Sequence, residues 1–520
     1  MSFYFSKSRF VAAYFTCNKH AWLDKYKPQE KSKPNEFTEH LFANGHLVGD
    51  LAKQRFNADV DVSAFTPDGG MDYDAMKSET KKHIDLKTNV IAEASFSFEG
   101  LFCSVDILKR NDDGSYNIYE VKSSKRDLKK YSKYKGVKYR YILDAAYQQY
   151  VLEHCDIKVN KVYILLLSEK YSREETFDLK EYFIECEVTG FTTDLQSEVK
   201  DKLLEIEGVM GNELEPEMPF AMHCKDCDYF EYCSRNIPTP SPFDIYDLDF
   251  KVKCELCNSG ITFFDAPKHA NISSAGLKQI EYYNRPNDEY KNKDEIKKFL
   301  DSLSYPLYSL DFETYMAVVP EFKGAKTNTA IPFQYSLHIM NVPNGDYSEG
   351  SPDLEEKHFI QLSGDPRRAI AESLVRDIPY GACVIACNES TERNIIKKLA
   401  DLYSDLKEHL LSFGYIDAKG NARYADPQPL FKYGHYYSAK MGNTFSLKSI
   451  LPALYPDDPE MNYKNLEGSI KNGAQAMTAI PNINELTSEE VKQLEEDLIK
   501  YCALDTYAVV KIIKKLYEAI

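Results

Sequence analysis

Apolar positions alternate with polar ones in several short runs of this chain and recur every three to four residues in others, which predicts both strands and amphipathic helices. LFCSVDILKR (101–110) and SYNIYEVKSS (115–124) are β-rich runs flanking NDDG, the pattern of a hairpin with a type I turn and Gly114 in the left-handed conformation. With Asp112, Asp113 and Gly114 as the loop, Asn111 pairs with Ser115, and counting back sets Asp106 opposite Glu120. Opposed residues share a face, and so do Glu120 and Lys122 at i, i+2. One hairpin therefore gathers two carboxylates and an ammonium, and a one-residue slip would part them. YRYILDAAYQQYVL (139–152) predicts a helix carrying Gln148, and FANGHLVGDLAKQRF (42–56) an earlier one.

Past NIPTPSPFD (236–244), a proline-rich boundary, the pattern resumes with a helix at KDEIKKFLDSL. YPLYSLDFETYM (305–316) reads as a strand with buried-type residues from Leu307 to Leu310, and it projects Asp311 and Glu313 from one face. VIACNESTERNIIKKLADLY (384–403) is a strand, a polar turn and a helix with Glu392 in its first turn. EEDLIKYCALDTYAVVKIIKKLYEA near the C-terminus is a strongly amphipathic helix with Tyr501 and Asp505 at i, i+4 on one face. An acid among apolar packing positions is costly to bury without a metal or a partner. The divisions expected are 1–237, a connecting region 238–302, and 303–520.

Composition narrows the function classes. The 520 residues carry a net charge of −17, which argues against a general polyanion binder, but the charge is unevenly spread. KSSKRDLKKYSKYKGVKYR (122–140) holds nine basic residues and one acid, Asp127, with tyrosines at 131, 134 and 139. It is either a solvated loop or a phosphate-binding patch with stacking aromatics, in which Lys125, Arg126, Lys129, Lys130, Lys133 and Lys135 are the candidate ligands for the backbone. VYILLL (162–167), the longest aliphatic run, is far too short to span a bilayer. The N-terminal stretch lacks a small-residue cleavage site, so a cytoplasmic protein is expected. In a reducing compartment the twelve cysteines are core residues or metal ligands rather than disulfides.

Three of those cysteines, Cys224, Cys227 and Cys233, stand together in CKDCDYFEYC. Cys254 and Cys257 in KCELC form a second C-x2-C, so a zinc ribbon with Cys224 and Cys227 is one reading, over a spacer longer than usual. Cys103, Cys155, Cys186, Cys383, Cys387 and Cys502 sit in apolar contexts and read as core residues.

The order Asp106, Glu120-x-Lys122 and a helical Gln148 resembles the PD-(D/E)XK nucleases of the RecB family. That resemblance implies a restriction-endonuclease-like mixed sheet, Asp106 and Glu120 as Mg²⁺ or Mn²⁺ ligands, Lys122 as catalytic lysine and Gln148 as its helper, with Glu93 a further candidate. Members with iron–sulphur clusters, among them AddB and the nucleases of CRISPR adaptation, place one Cys before the nuclease core and C-x2-C-x5-C after it. This implies a [4Fe–4S] cluster on Cys17, Cys224, Cys227 and Cys233. Where such nucleases often carry a metal-binding His, this chain has Gly49, with His46 one turn earlier. Asp311-x-Glu313, Glu392 and Tyr501-x-x-x-Asp505 resemble the DnaQ-like DEDD exonucleases of the tyrosine subclass, implying a ribonuclease H-like α/β fold. The four acids would hold two divalent cations and Tyr501 would orient the attacking water; Glu392 replaces the usual middle Asp. Asp426 is an accessory acid or a turn initiator before Pro427. As a whole the chain is similar to an uncharacterised bacterial family joining these two domains. The expected function is a metal-dependent nuclease with two active sites acting on DNA, with RNA ends or a binding scaffold with inactive centres as alternatives.

Overall fold

The computed structural model describes residues 4–416 and 422–520. It is a mixed α/β protein that divides into two compact units, one running to Asn236 and including Val318–Asn328, the other Ile237–Ala317 with Thr329–Ile520. Residues 238–302, read from the sequence as a connecting region, lie within the second unit. The stretch 318–328 clusters with the first unit, where the Tyr182 hydroxyl donates to the Val318 carbonyl (2.9 Å) and the Arg173 and Gly324 amides donate to the carbonyls of Ala325 and Arg173.

The first unit is built on seven strands: β1 (Phe5–Ser6), β2 (Val60–Asp61), β3 (Val90–Phe98), β4 (Leu101–Arg110), β5 (Tyr116–Lys125), β6 (Val159–Leu167) and β7 (Phe183–Glu187). They lie in the order β2-β3-β4-β5-β6-β7, with β1 alongside β4. β4 and β5 form the expected hairpin: Arg110 opposes Tyr116, Ile107 opposes Tyr119, and the Asn111 amide donates to the Ser115 carbonyl (2.8 Å). Gly114 has φ +84, the left-handed conformation the turn requires. VYILLL lies in β6, between a parallel partner (β5) and an antiparallel one (β7), and its last four residues are buried, which is why it is uniformly apolar. β4 pairs with β5 only from Ile107 onward, and at Leu101–Phe102 it takes β1 as a parallel partner. The helix Tyr139–His154 packs on the sheet, burying ten residues from Ile142 to Leu152.

The second unit centres on β8 (Leu307–Ala317), β9 (Thr329–Met340), β10 (Leu354–Ile360) and β11 (Cys383–Ile385), in the order β10-β9-β8-β11, with β11 parallel to β8 and the other pairs antiparallel. Side chains alternate along β8. Tyr308, Leu310 and Phe312 pack with Ile370 and Leu374 of the helix Arg367–Asp377 and with Ile395, Ile396 and Leu399 of the helix Ser390–Leu402. Ser309, on the other face, donates to the Thr506 carbonyl (2.9 Å). Thr506 lies in the 31-residue helix Ser488–Glu518, which opens with a capping box between Thr487 and Glu490. Period two on the strand thus turns Asp311 and Glu313 toward this helix.

Candidate active sites

In the first unit Asp106, Glu120, Lys122 and Gln148 converge, and Lys7 and Asp144 join them. The ladder ends at Ile107–Tyr119, one residue before Asp106 and Glu120, and beyond it one Asp106 oxygen accepts the Val121 amide (2.6 Å). Glu120 is almost fully buried and accepts three donors: Lys122 at 2.6 Å, Lys7 at 2.8 Å and the Gln148 amide at 2.7 Å. Lys122 also donates to Asp144 (2.6 Å). Burial works against the Glu120 carboxylate, but Lys122 and Lys7 outweigh it and hold the group well below the usual carboxylate range. Asp106 moves the opposite way: burial first, then Glu120, push it up to about 7. Glu93, at φ +57, breaks the ladder between Ala92 and Ala94; its carboxylate accepts from Ser104 (3.1 Å) and contributes to the rise at Asp106. His46 is exposed on the helix Glu36–Phe56, and Gly49 on the same helix has open space where a Cβ would stand.

In the second unit Asp311, Glu313, Glu392, Tyr501 and Asp505 come together from three separate elements. The ligand atoms of Asp311, Glu313 and the buried thiol of Cys502 lie within 4.8 Å of one another. Burial pushes Glu313 up to about 8, with Asp505 adding to it, and Asp311 rises well above its usual range through burial, Asp505 and Glu313. Glu392 is pushed up to about 8 by burial together with Asp426 and Glu389, and one of its buried oxygens has no hydrogen-bond partner. Asp505 rises to about 6 by burial, restrained by the Tyr463 hydroxyl, which donates to it at 2.6 Å. Burial and the same acids raise the Tyr501 phenol, so it stays protonated. The Lys448 ammonium lies 5.0 Å from the Tyr501 ring centre and 5.3 Å from that of Tyr463. A cavity of about 260 Å³ is lined by Asp311, Asp505, Cys387, Asn388 and Gln428 among others. Asp426 accepts the backbone amides of Gln428 (2.8 Å) and Asn388 (3.2 Å), the role of a turn initiator.

Residues 308–446, which include Asp311, Glu313 and Glu392, match the family described as "Domain of unknown function (DUF2779)". No curated protein matches the chain. Among solved structures, one titled "Crystal structure of SSO0001" is similar to 46% of this chain and 89% of its own, at 11% identity and a TM-score of 0.23, a likeness that carries no structural argument.

The thiols of Cys224, Cys227 and Cys233 are raised by burial, Cys227 to about 11, and the Cys17 thiol adds to the rise in all three. Cys17 precedes the helix Asn18–Tyr26, which is tied to residues 210–232 by direct contacts. Trp22 donates to the Asn212 carbonyl (2.8 Å), the Tyr229 hydroxyl to Asp24 (2.8 Å), and Lys19 pairs with Glu215 (2.8 Å). Cys254 and Cys257 lie in the helix Phe250–Asn258 of the second unit.

The basic stretch is divided in its roles. Lys125, Lys129, Lys130, Lys133 and Lys135 are exposed, although Lys125 reaches the Thr327 carbonyl (3.1 Å). Arg126 is engaged with Glu169 (2.6 Å), and Gly136, at φ +87, is held so close that a Cβ would come within 2.6 Å of the Arg126 side chain. Tyr134 packs on Tyr139 and Phe191, and Tyr139 donates to Glu198 (3.2 Å), so both half-buried rings take part in internal packing. Asp144 was detectable in principle, since it precedes Gln148 by one turn. Lys7, Tyr463 and Lys448 are remote in sequence from the residues they meet.

Proposed function

We propose that the protein is a divalent-metal-dependent nuclease with two centres, hydrolysing phosphodiester bonds of DNA from ends or within single strands. The observation that carries this reading is the second centre: three buried carboxylates and the half-buried Asp311 press on one another, and among the described residues a buried Glu392 oxygen has no hydrogen-bond partner. Such a set is unfavourable by itself and suits cations. Asp311, Glu313, Glu392 and Asp505 would hold Mg²⁺ or Mn²⁺ in a ribonuclease H-like unit of the DnaQ kind. Bound ions there supply charge stabilisation for the attacking and leaving oxygens at phosphorus. Tyr501, kept protonated, orients the attacking water, and Tyr463 fixes the Asp505 carboxylate. In the first, RecB-like unit, Asp106 and Glu120 are the ion ligands, Lys122 stabilises charge on the phosphate, and Gln148 holds Glu120 in place.

Cys17, Cys224, Cys227 and Cys233 would hold a [4Fe–4S] cluster, a reading supported by their mutual influence across about two hundred residues of chain. The exposed lysines of 125–135 are the proposed nucleic-acid ligands.

The test is digestion of end-labelled single- and double-stranded DNA and RNA with Mg²⁺, Mn²⁺ or EDTA. Metal-dependent cleavage of which Asp311→Ala removes one activity and Lys122→Ala a different one supports the reading, and cleavage of RNA alone would move the substrate to RNA ends. No cleavage of any polymer with either metal would refute it. A second reading, in which the first unit binds nucleic acid without cutting it, is favoured by the position of Lys7.

A further inference from the structure

We propose that Lys7 is a tethered counter-ion at the cation position of the first centre, so that a divalent ion binds there only when its ammonium moves aside. This rests on the reading of Asp106 and Glu120 as cation ligands. The two carboxylates have four oxygens. One Asp106 oxygen is taken by the Val121 amide, and one Glu120 oxygen by Lys122. Lys7 meets the other two, at 2.8 Å from Glu120 Oε2, which also accepts the Gln148 amide (2.7 Å), and 3.6 Å from Asp106 Oδ1. A Mg²⁺ ion binds oxygen at about 2.0–2.1 Å, so an ion held by those two atoms would overlap the ammonium.

The main chain places Lys7 there. Phe5 and Ser6 pair in parallel with Leu101 and Phe102 of β4, the strand that carries Asp106. Ser6 then caps the helix Lys7–Phe15, accepting from the Arg9 amide. On the opposite side Tyr147, from the helix that carries Asp144 and Gln148, donates to the Phe5 carbonyl and stacks on Phe10 with ring centres 5.0 Å apart. Lys7 is therefore aimed at the centre by a strand pairing, a helix cap and a buried tyrosine. Asp106, Glu120 and Asp144 face Lys7 and Lys122, so the ammonium of Lys7 already supplies positive charge where a cation would be held. The Lys7 side chain is 18% exposed, so the ammonium is not sealed from solvent.

The experiment measures Mn²⁺ binding by the loss of the free-ion EPR signal, in the full chain carrying Asp311→Ala and Asp505→Asn to silence the second centre. Lys7→Gln in that background is expected to bind one Mn²⁺ about tenfold or more tightly than the parent, because one unit charge leaves the ligand position. Lys7→Arg, which keeps the charge, should bind as weakly as the parent, and Lys7→Gln combined with Glu120→Gln should lose the site. Matched melting temperatures confirm that the variants are folded. Equal affinity in the parent and Lys7→Gln, with Glu120→Gln still abolishing binding, would overturn the counter-ion role while leaving the ligand assignment standing. If Lys7→Gln binds no Mn²⁺ at all, Asp106 and Glu120 are not cation ligands, and both readings fall.

Discussion

Replacing Glu392 with Gln should stabilise the metal-free protein and cost it its response to divalent cations. Glu392 is buried and its carboxyl is pushed up to about 8, against an ordinary glutamate value near 4.3. A carboxyl raised in the folded state costs nothing below its unfolded pKa, and the cost grows as pH rises toward the folded value. At pH 7 the folded protein must keep a proton that the unfolded chain releases. At 1.36 kcal/mol per pH unit over roughly two and a half units, the ceiling is about 3 kcal/mol. Because Glu392 shares its environment with Asp311, Asp426 and Asp505, part of that cost would pass to its neighbours, and about 1–2 kcal/mol is the expected gain. Gln keeps the shape and can donate to the adjacent acids. For a unit of this size the gain is a rise in melting temperature of roughly 2–8 °C. The assay is thermal unfolding of EDTA-treated protein at pH 7.5 and pH 5, repeated with Mn²⁺. The variant should melt higher than the parent at pH 7.5, the difference should shrink at pH 5, and Mn²⁺ should raise the parent far more than the variant. A variant that is less stable at both pH values, or equal stabilisation of both proteins by Mn²⁺, would refute the account of Glu392 as a strained ligand.

Two further outcomes are expected. Lys129, Lys130, Lys133 and Lys135 changed together to Gln should weaken nucleic-acid binding and flatten the plot of log affinity against log salt by about 0.7 for each single-strand phosphate that is no longer neutralised, with folding unaffected because the positions are exposed; an unchanged slope would make the stretch a solvated loop. Anaerobically purified protein should be brown and contain iron, Cys233→Ser should bleach and destabilise it, and Cys254→Ser should not; colourless protein whose single zinc disappears on changing Cys254 would favour the zinc ribbon.

Local rules reach far where a short stretch of chain settles its own geometry. NDDG sets a turn, a turn sets the register of its two strands, and period two then places Asp106, Glu120 and Lys122 on one face. The same logic turns Asp311 and Glu313 to one side of β8, and the helical period sets Tyr501 and Asp505 on one face of the last helix. What no local rule reaches is the company these residues keep. Lys7 meets Glu120 across more than a hundred residues because β1 finds the free side of β4, and Tyr463 meets Asp505 because a loop folds back on the helix. Arg126, Tyr134 and Tyr139 look identical in sequence to their neighbours, and only packing engages their side chains with Glu169, Phe191 and Glu198. Charge shows the same division. The sequence by itself determined which carboxylates stand together on each element. Only the tertiary structure decided that Glu120 is held ionised between two ammoniums while Glu313 and Glu392 are pushed up to about 8, because desolvation and long-range neighbours act on a carboxyl through space and not along the chain.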